Sequence, residues 1–107
     1  MKKHPSVTRS SGNIFADLGL PNAEEHEIKA RFVMLIGKMI EKQGLTQTAA
    51  AARMGLAQPD VSKLLRGRFD GFSLERLLSF VRALGGDVEI RVKPAKEKRE
   101  GRILMTA

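Results

Sequence analysis

The sequence predicts a mainly α protein, a single bundle of four to five helices followed by one β-strand near the C-terminus. Three observations carry that expectation. Apolar residues recur at three- and four-residue spacing along several segments. The segments open on capping residues or a proline and close on glycine. After Gly85-Gly86 the spacing of apolar residues shortens to two. With 107 residues there is room for one domain of modest core, plus tails.

Residues 1–12 are polar, basic and without periodicity, and are expected to form a disordered basic arm. In the following NIFADLGLP, Asn13 is suited to cap a single turn that carries Ile14, Phe15 and Leu18, with Gly19 and Pro21 ending it. A turn this short is not stable alone, so the apolar element of residues 13–22 must dock on its own domain or on another protein. The main domain is expected over residues 23–94. Asn22 and Glu25 resemble a capping box, and Ile28, Phe32, Leu35, Ile36, Met39 and Ile40 then mark a helix that runs to Gly44.

Thr46 is a good cap for Gln47 to Met54, an alanine-rich stretch of high helix propensity closed by Gly55. Pro59 is tolerated in a first helical turn, so a third helix is expected from about Gln58, with Val61, Leu64 and Leu65 inward and Gly67 at its end. Ser73 caps a fourth, with Leu74, Leu77, Leu78, Val81 and Leu84 on one face. Val88, Ile90 and Val92 then alternate with Glu89 and Arg91, the pattern of a half-buried strand that Pro94 ends. Residues 95–107 read as a mobile charged tail.

Composition narrows the function. Lys and Arg outnumber Asp and Glu by 19 to 12, a formal charge of +7 that suits an anionic partner or simply solubility. The sequence contains no cysteine, which excludes disulfides, zinc-thiolate sites and thiol nucleophiles. No signal-peptide core or membrane-spanning run is seen, so the expected location is the cytoplasm, away from membranes. His4 and His26 have no convergent partner in sequence and read as solvated residues, and no cofactor or metal is expected.

The stretch RMGLAQPDVSKLLRG, residues 53–67, carries the functional information. Gly55 takes the left-handed backbone that a residue with a side chain reaches only at a cost, Leu56 tucks back, and small Ala51 lets two helices approach. The product is a helix-turn-helix with Gln47, Gln58, Asp60, Ser62 and Lys63 facing outward, a shape that fits the DNA major groove. The spacing alone also suits an ordinary corner in a helical bundle.

Position by position, LTQTAAAARMGLAQPDVSKLLRG resembles the core of the phage-repressor-like, XRE-type transcriptional regulators, which have the lambda-repressor-like fold. The likeness covers residues 24–84 and is most specific over 45–67. Ala57 departs from it, standing where relatives commonly carry a Ser or Thr cap. The resemblance implies that Gln47 touches a phosphate and that Gln58 reads a base edge. An amide presents a donor and an acceptor together, as adenine requires, and helix N-termini attract phosphate oxygens. Asp60 suits either the helix dipole or a cytosine amino group. Lys63, Arg66 and Arg68 follow the reading surface around its end and are candidates for phosphate contacts. Arg53 and Arg76 read equally well as solvated surface residues.

From NIFADLGLP to GGDVEIRVKP the chain is also similar to antitoxins of type II toxin-antitoxin modules, in the branch paired with ribonuclease toxins of the RelE/HigB kind. That likeness implies a repressor of its own operon, with a toxin facing Ile14, Phe15 and Leu18 or one of the tails. A stand-alone phage-type or metabolic regulator remains the alternative. An enzyme such as a small nuclease needs converging carboxylates, whereas Glu24, Glu25 and Glu27 sit where a helix's first turn favours acids anyway. RNA binding stays open on charge, although the aromatic platforms typical of single-strand readers are missing, since the chain has no Tyr or Trp.

A lone strand leaves backbone groups unpaired. Val88, Ile90 and Val92 are therefore expected to pair with the same segment of a second copy, making a homodimer that reads an inverted-repeat operator in double-stranded DNA. The rival expectation is pairing with Ile103 to Met105 of the same chain.

Overall fold

The computed structural model of the chain describes residues 22–106. The expected N-terminal arm and the apolar turn carrying Ile14, Phe15 and Leu18 lie outside the described residues. Helices α1 (Asn22–Lys42), α2 (Gln47–Met54), α3 (Gln58–Leu65) and α4 (Leu74–Ala83) follow in order. The starts of α2 and α4 agree with the expected caps Thr46 and Ser73, and α3 starts at Gln58 as expected, whereas α1 includes Asn22, which was expected to cap it.

Local chemistry sets the helix ends. Thr46 Oγ1 accepts from the Ala49 N–H at 3.0 Å, and Ser73 Oγ accepts from the Arg76 N–H at 3.1 Å. Each bond satisfies a backbone donor that has no partner inside its helix. α3 opens without such a bond, because Ala57 stands at its cap position, and Pro59 occupies the first turn, where a missing N–H leaves nothing unsatisfied. Four glycines with positive φ close the helices: Gly44, Gly55, Gly67 and Gly85. At Gly55 the φ of 72° turns the chain so that the Leu56 N–H reaches the Ala51 carbonyl at 2.9 Å. That turn aims α3 across α2.

In the bundle α2 packs on α3 and α1 on α4, while α1 also meets α3 and α2 meets α4. Ala50 and Ala51 are buried on α2, while Val61 and Leu64 of α3 are fully enclosed. Small side chains on one helix facing larger ones on the other bring the two backbones close. On α1 the buried residues are Ile28, Val33, Ile36 and Ile40, with Phe32, Leu35 and Met39 half-buried beside them. The core-facing stripe is thus rotated toward Val33, which the sequence reading passed over, because α1 is wedged against two helices rather than one.

The expected C-terminal strand is not formed. No β-strand occurs among the described residues, and residues 87–95 are irregular and exposed throughout. The reason is physical: alternation records that two faces differ, but a strand exists only through ladder bonds to a neighbour. Among the described residues the backbone of 87–95 makes no ladder bonds. The Ile103 N–H instead meets Glu24 Oε2 at 3.3 Å, at the start of α1, with Ile103 and Met105 half-buried. Val88, Ile90 and Val92 are left 38%, 65% and 94% exposed, which is a poor resting state for three branched apolar side chains in one short arm.

Candidate nucleic-acid interface

The turn at Gly55 brings the first residues of α2 and α3 together. Gln47 opens α2 and Gln58 opens α3, and the Gln58 Nε2 donates to Gln47 Oε1 at 2.7 Å. Eleven positions apart in sequence, the two amides form one polar head at the open end of the helix pair. Further along α3, Asp60 and Ser62 are half-buried and Lys63 is exposed. Arg66 Nη1 donates to Ser62 Oγ at 3.1 Å, so the guanidinium is laid back along the helix by one turn. Gly67 then reverses the chain and leaves Arg68 exposed beyond it.

An open groove lies beside this surface. Lys63, Arg68 and Arg76 border it together with Asp60 and Asp70, over a floor that includes Leu56 and Phe72. Arg76 is held in place by aromatic faces, its guanidinium carbon 5.0 Å from the Phe72 ring centre and 5.4 Å from that of Phe80. Stacking of this kind fixes a cation without neutralising it. From the sequence, Arg76 reads equally well as a solvated surface residue. The available signal was its spacing, four residues after one phenylalanine and four before another. Among the described residues no carboxylate pairs with Lys63, Arg66, Arg68 or Arg76. Their charge is directed at solvent.

Other candidate residues fall elsewhere. Val88, Ile90 and Val92 sit on the arm that leaves α4, outside this groove, and Ile14, Phe15 and Leu18 lie outside the described residues. Glu24, Glu25 and Glu27 do not converge: Glu24 accepts from the Ile103 N–H, Glu25 pairs with Lys29 at 3.5 Å and Glu27 with Arg31 at 3.6 Å. His26 lies against Phe69, ring centres 4.9 Å apart, which explains how a loop phenylalanine stays 5% exposed.

A short helix that ends in a left-handed glycine supports a second helix with a polar outer face, and unpaired cations surround its end. This arrangement defines a helix-turn-helix DNA-binding protein. The helix-turn-helix domain family matches residues 14–93. A solved structure assigned as an XRE family transcriptional regulator is 41% identical and superposes with a TM-score of 0.76, over 81% of this chain and 99% of that one. No curated protein matches the chain. The chain belongs to the helix-turn-helix family of XRE-type transcriptional regulators, and its work is to bind DNA rather than to catalyse a reaction. Among the described residues no helix is long and apolar enough to cross a membrane.

Proposed function

We propose that the protein is a sequence-specific repressor that binds double-stranded DNA as a homodimer, on an inverted-repeat operator. The observation that carries the reading is the Gln47–Gln58 amide pair at the head of the two helices. Gln58 still has one N–H and its carbonyl oxygen to offer a base edge, the donor and acceptor pair that adenine presents in the major groove. Gln47 keeps both amide hydrogens for a phosphate oxygen. Lys63, Arg66 and Arg68, joined by Arg76, contribute backbone contacts that hold α3 in register and carry no sequence information themselves. Asp60 and Ser62 complete the face that meets the bases.

The homodimer reading rests on the exposed apolar arm, whose side chains and backbone groups are both satisfied by pairing with a second copy. The finer reading is that this repressor is the antitoxin of a type II module, located in the cytoplasm, and autoregulates its operon. Its support is the likeness running from NIFADLGLP to GGDVEIRVKP. A ribonuclease toxin is then the protein partner, held by Ile14, Phe15 and Leu18.

Footprinting on the DNA upstream of its own gene tests the repressor reading, and a protected inverted repeat is the expected result. Co-expression with the product of the adjacent small gene tests the partner. Copurification, with relief of that product's toxicity, supports the antitoxin. Protection of the operator without any copurifying neighbour makes the protein a stand-alone regulator.

A further inference from the structure

The geometry points to Arg53 and Gln43 as positioning residues that set the spacing between the two DNA-reading heads. This inference rests on the homodimer proposed above. Three elements meet where the C-terminal arm leaves the bundle. Gln43, just after α1, donates through Nε2 to the Leu84 carbonyl at the end of α4, at 2.8 Å. Arg53, in the last turn of α2, donates through Nη1 to Gln43 Oε1 at 3.0 Å. The chain of bonds runs from the helix that supports α3 directly to the root of the arm.

That root is itself tightly shaped. Gly85 has a φ of 96°, and the turn is closed by Gly85 N–H to Arg82 O and Gly86 N–H to Val81 O, each 2.9 Å. This double closure is a standard helix stop in which neither bond uses the Leu84 carbonyl. The Gln43 amide donates to it. Gly86 has no room for a side chain, because a Cβ there falls 2.8 Å from Val81 Cγ1 and 3.1 Å from Met39 Cε. The arm therefore leaves in one direction relative to α1 and α4, and the Arg53–Gln43 bond ties that direction to α2.

In a dimer joined through the arms, the angle at this root decides how far apart the two α3 helices stand and how they are turned. Half-sites one helical turn apart require about 34 Å between the reading helices. A loosened root lets the heads accept other separations. Arg53 thus acts on operator choice without touching DNA, through Gln43 and the backbone of Leu84.

The test measures the affinity of the full chain for the footprinted operator and for versions with two base pairs inserted between the half-sites, which turn one half-site by about 70° around the DNA axis. The unaltered protein should strongly prefer the native spacing. Arg53→Ala and Gln43→Ala should each shrink that preference by about tenfold, an ordinary size for coupling between linked sites. The double variant should do no more than either alone, since both act through one relay. Arg53→Lys, which keeps a donor, should restore part of the preference. Affinity for DNA with one half-site scrambled should stay unchanged in each variant, and the thermal midpoint should stay unchanged in Arg53→Ala, whose bond is exposed. A full spacing preference in Arg53→Ala overturns the inference, as does an equal loss on the single half-site, which makes Arg53 a direct contact. A wild-type protein that sediments as a monomer, or that is indifferent to spacing, overturns the homodimer and this inference together.

Discussion

Gln58 Nε2 lies 2.7 Å from Gln47 Oε1, so the residue proposed to read a base is oriented by the residue proposed to hold the backbone. The contact makes the two roles interdependent. An isolated glutamine on a helix surface samples many rotamers, and fixing it before DNA arrives removes part of the ordering cost of binding.

The first prediction concerns this pair. Gln58→Ala should weaken binding to the operator by about 1–3 kcal/mol and flatten the preference at one base pair, with little loss on random DNA. Gln47→Ala should weaken binding on all sequences and also relax Gln58. The double variant should then fall short of the sum of the single losses. Competition binding against a library of single-base operator variants checks this. Equal losses of Gln58→Ala on operator and random DNA would remove it as a base reader.

The second prediction concerns charge. Lys63, Arg66, Arg68 and Arg76 present cations that no described carboxylate neutralises. Each one that meets a phosphate should contribute roughly 0.9 to the slope of log affinity against log salt. Replacing Lys63, Arg66 and Arg68 together with Ala should therefore flatten the slope and weaken all sequences alike. Arg76→Ala should flatten it by about the increment of one contact. Titrations at several salt concentrations measure both, and an unchanged slope in the triple variant takes those residues out of the interface.

The third prediction concerns the start of α3. Ala57 has φ −76° and ψ 149°, the extended backbone of a capping residue, yet makes no side-chain bond to the helix. Ala57→Ser places a hydroxyl beside the Asp60 N–H, which already donates to the Ala57 carbonyl at 2.9 Å, and by sharing that donor should stabilise the fold by up to about 1 kcal/mol. Chemical denaturation of the two proteins measures the difference. No gain would mean that the bond to the Ala57 carbonyl already satisfies that donor in full.

The helices were legible because each carries its own punctuation. Thr46 with Gly55 and Ser73 with Gly85 are local signals, and they bracket α2 and α4 within a residue or so of the observed ends. Position in space was less legible. Val33 and Phe69 are buried through contacts that periodicity does not record, one because α1 meets two helices and the other because a loop residue settles against His26. The Gln47–Gln58 surface was readable from resemblance, but the hydrogen bond within it was not, nor was the bond between Gln43 and Leu84, 41 positions apart. Alternation at Val88, Ile90 and Val92 recorded a period of two and said nothing of what would pair with it, which is why a strand was expected where none forms among the described residues.

The last prediction is that a second copy covers that face. Three branched residues on one short arm are 38%, 65% and 94% exposed, and the backbone of residues 87–95 forms no ladder within the described chain. Pairing the arm with its own copy across a two-fold axis buries the side chains and satisfies the backbone in one step. The rival was pairing with Ile103 to Met105. Against it stands the bond from the Ile103 N–H to Glu24, which commits that end of the tail to α1. The two are separated by truncation after Pro94, which removes the tail and keeps the arm. The truncated protein should sediment as a dimer at micromolar concentration and bind the inverted repeat about as tightly as the full chain. Ile90→Pro in the full chain removes a ladder donor and part of the apolar face, and should shift the sedimentation toward monomer while the helical signal in circular dichroism is kept. A monomeric truncated protein would show that the arms do not pair between chains.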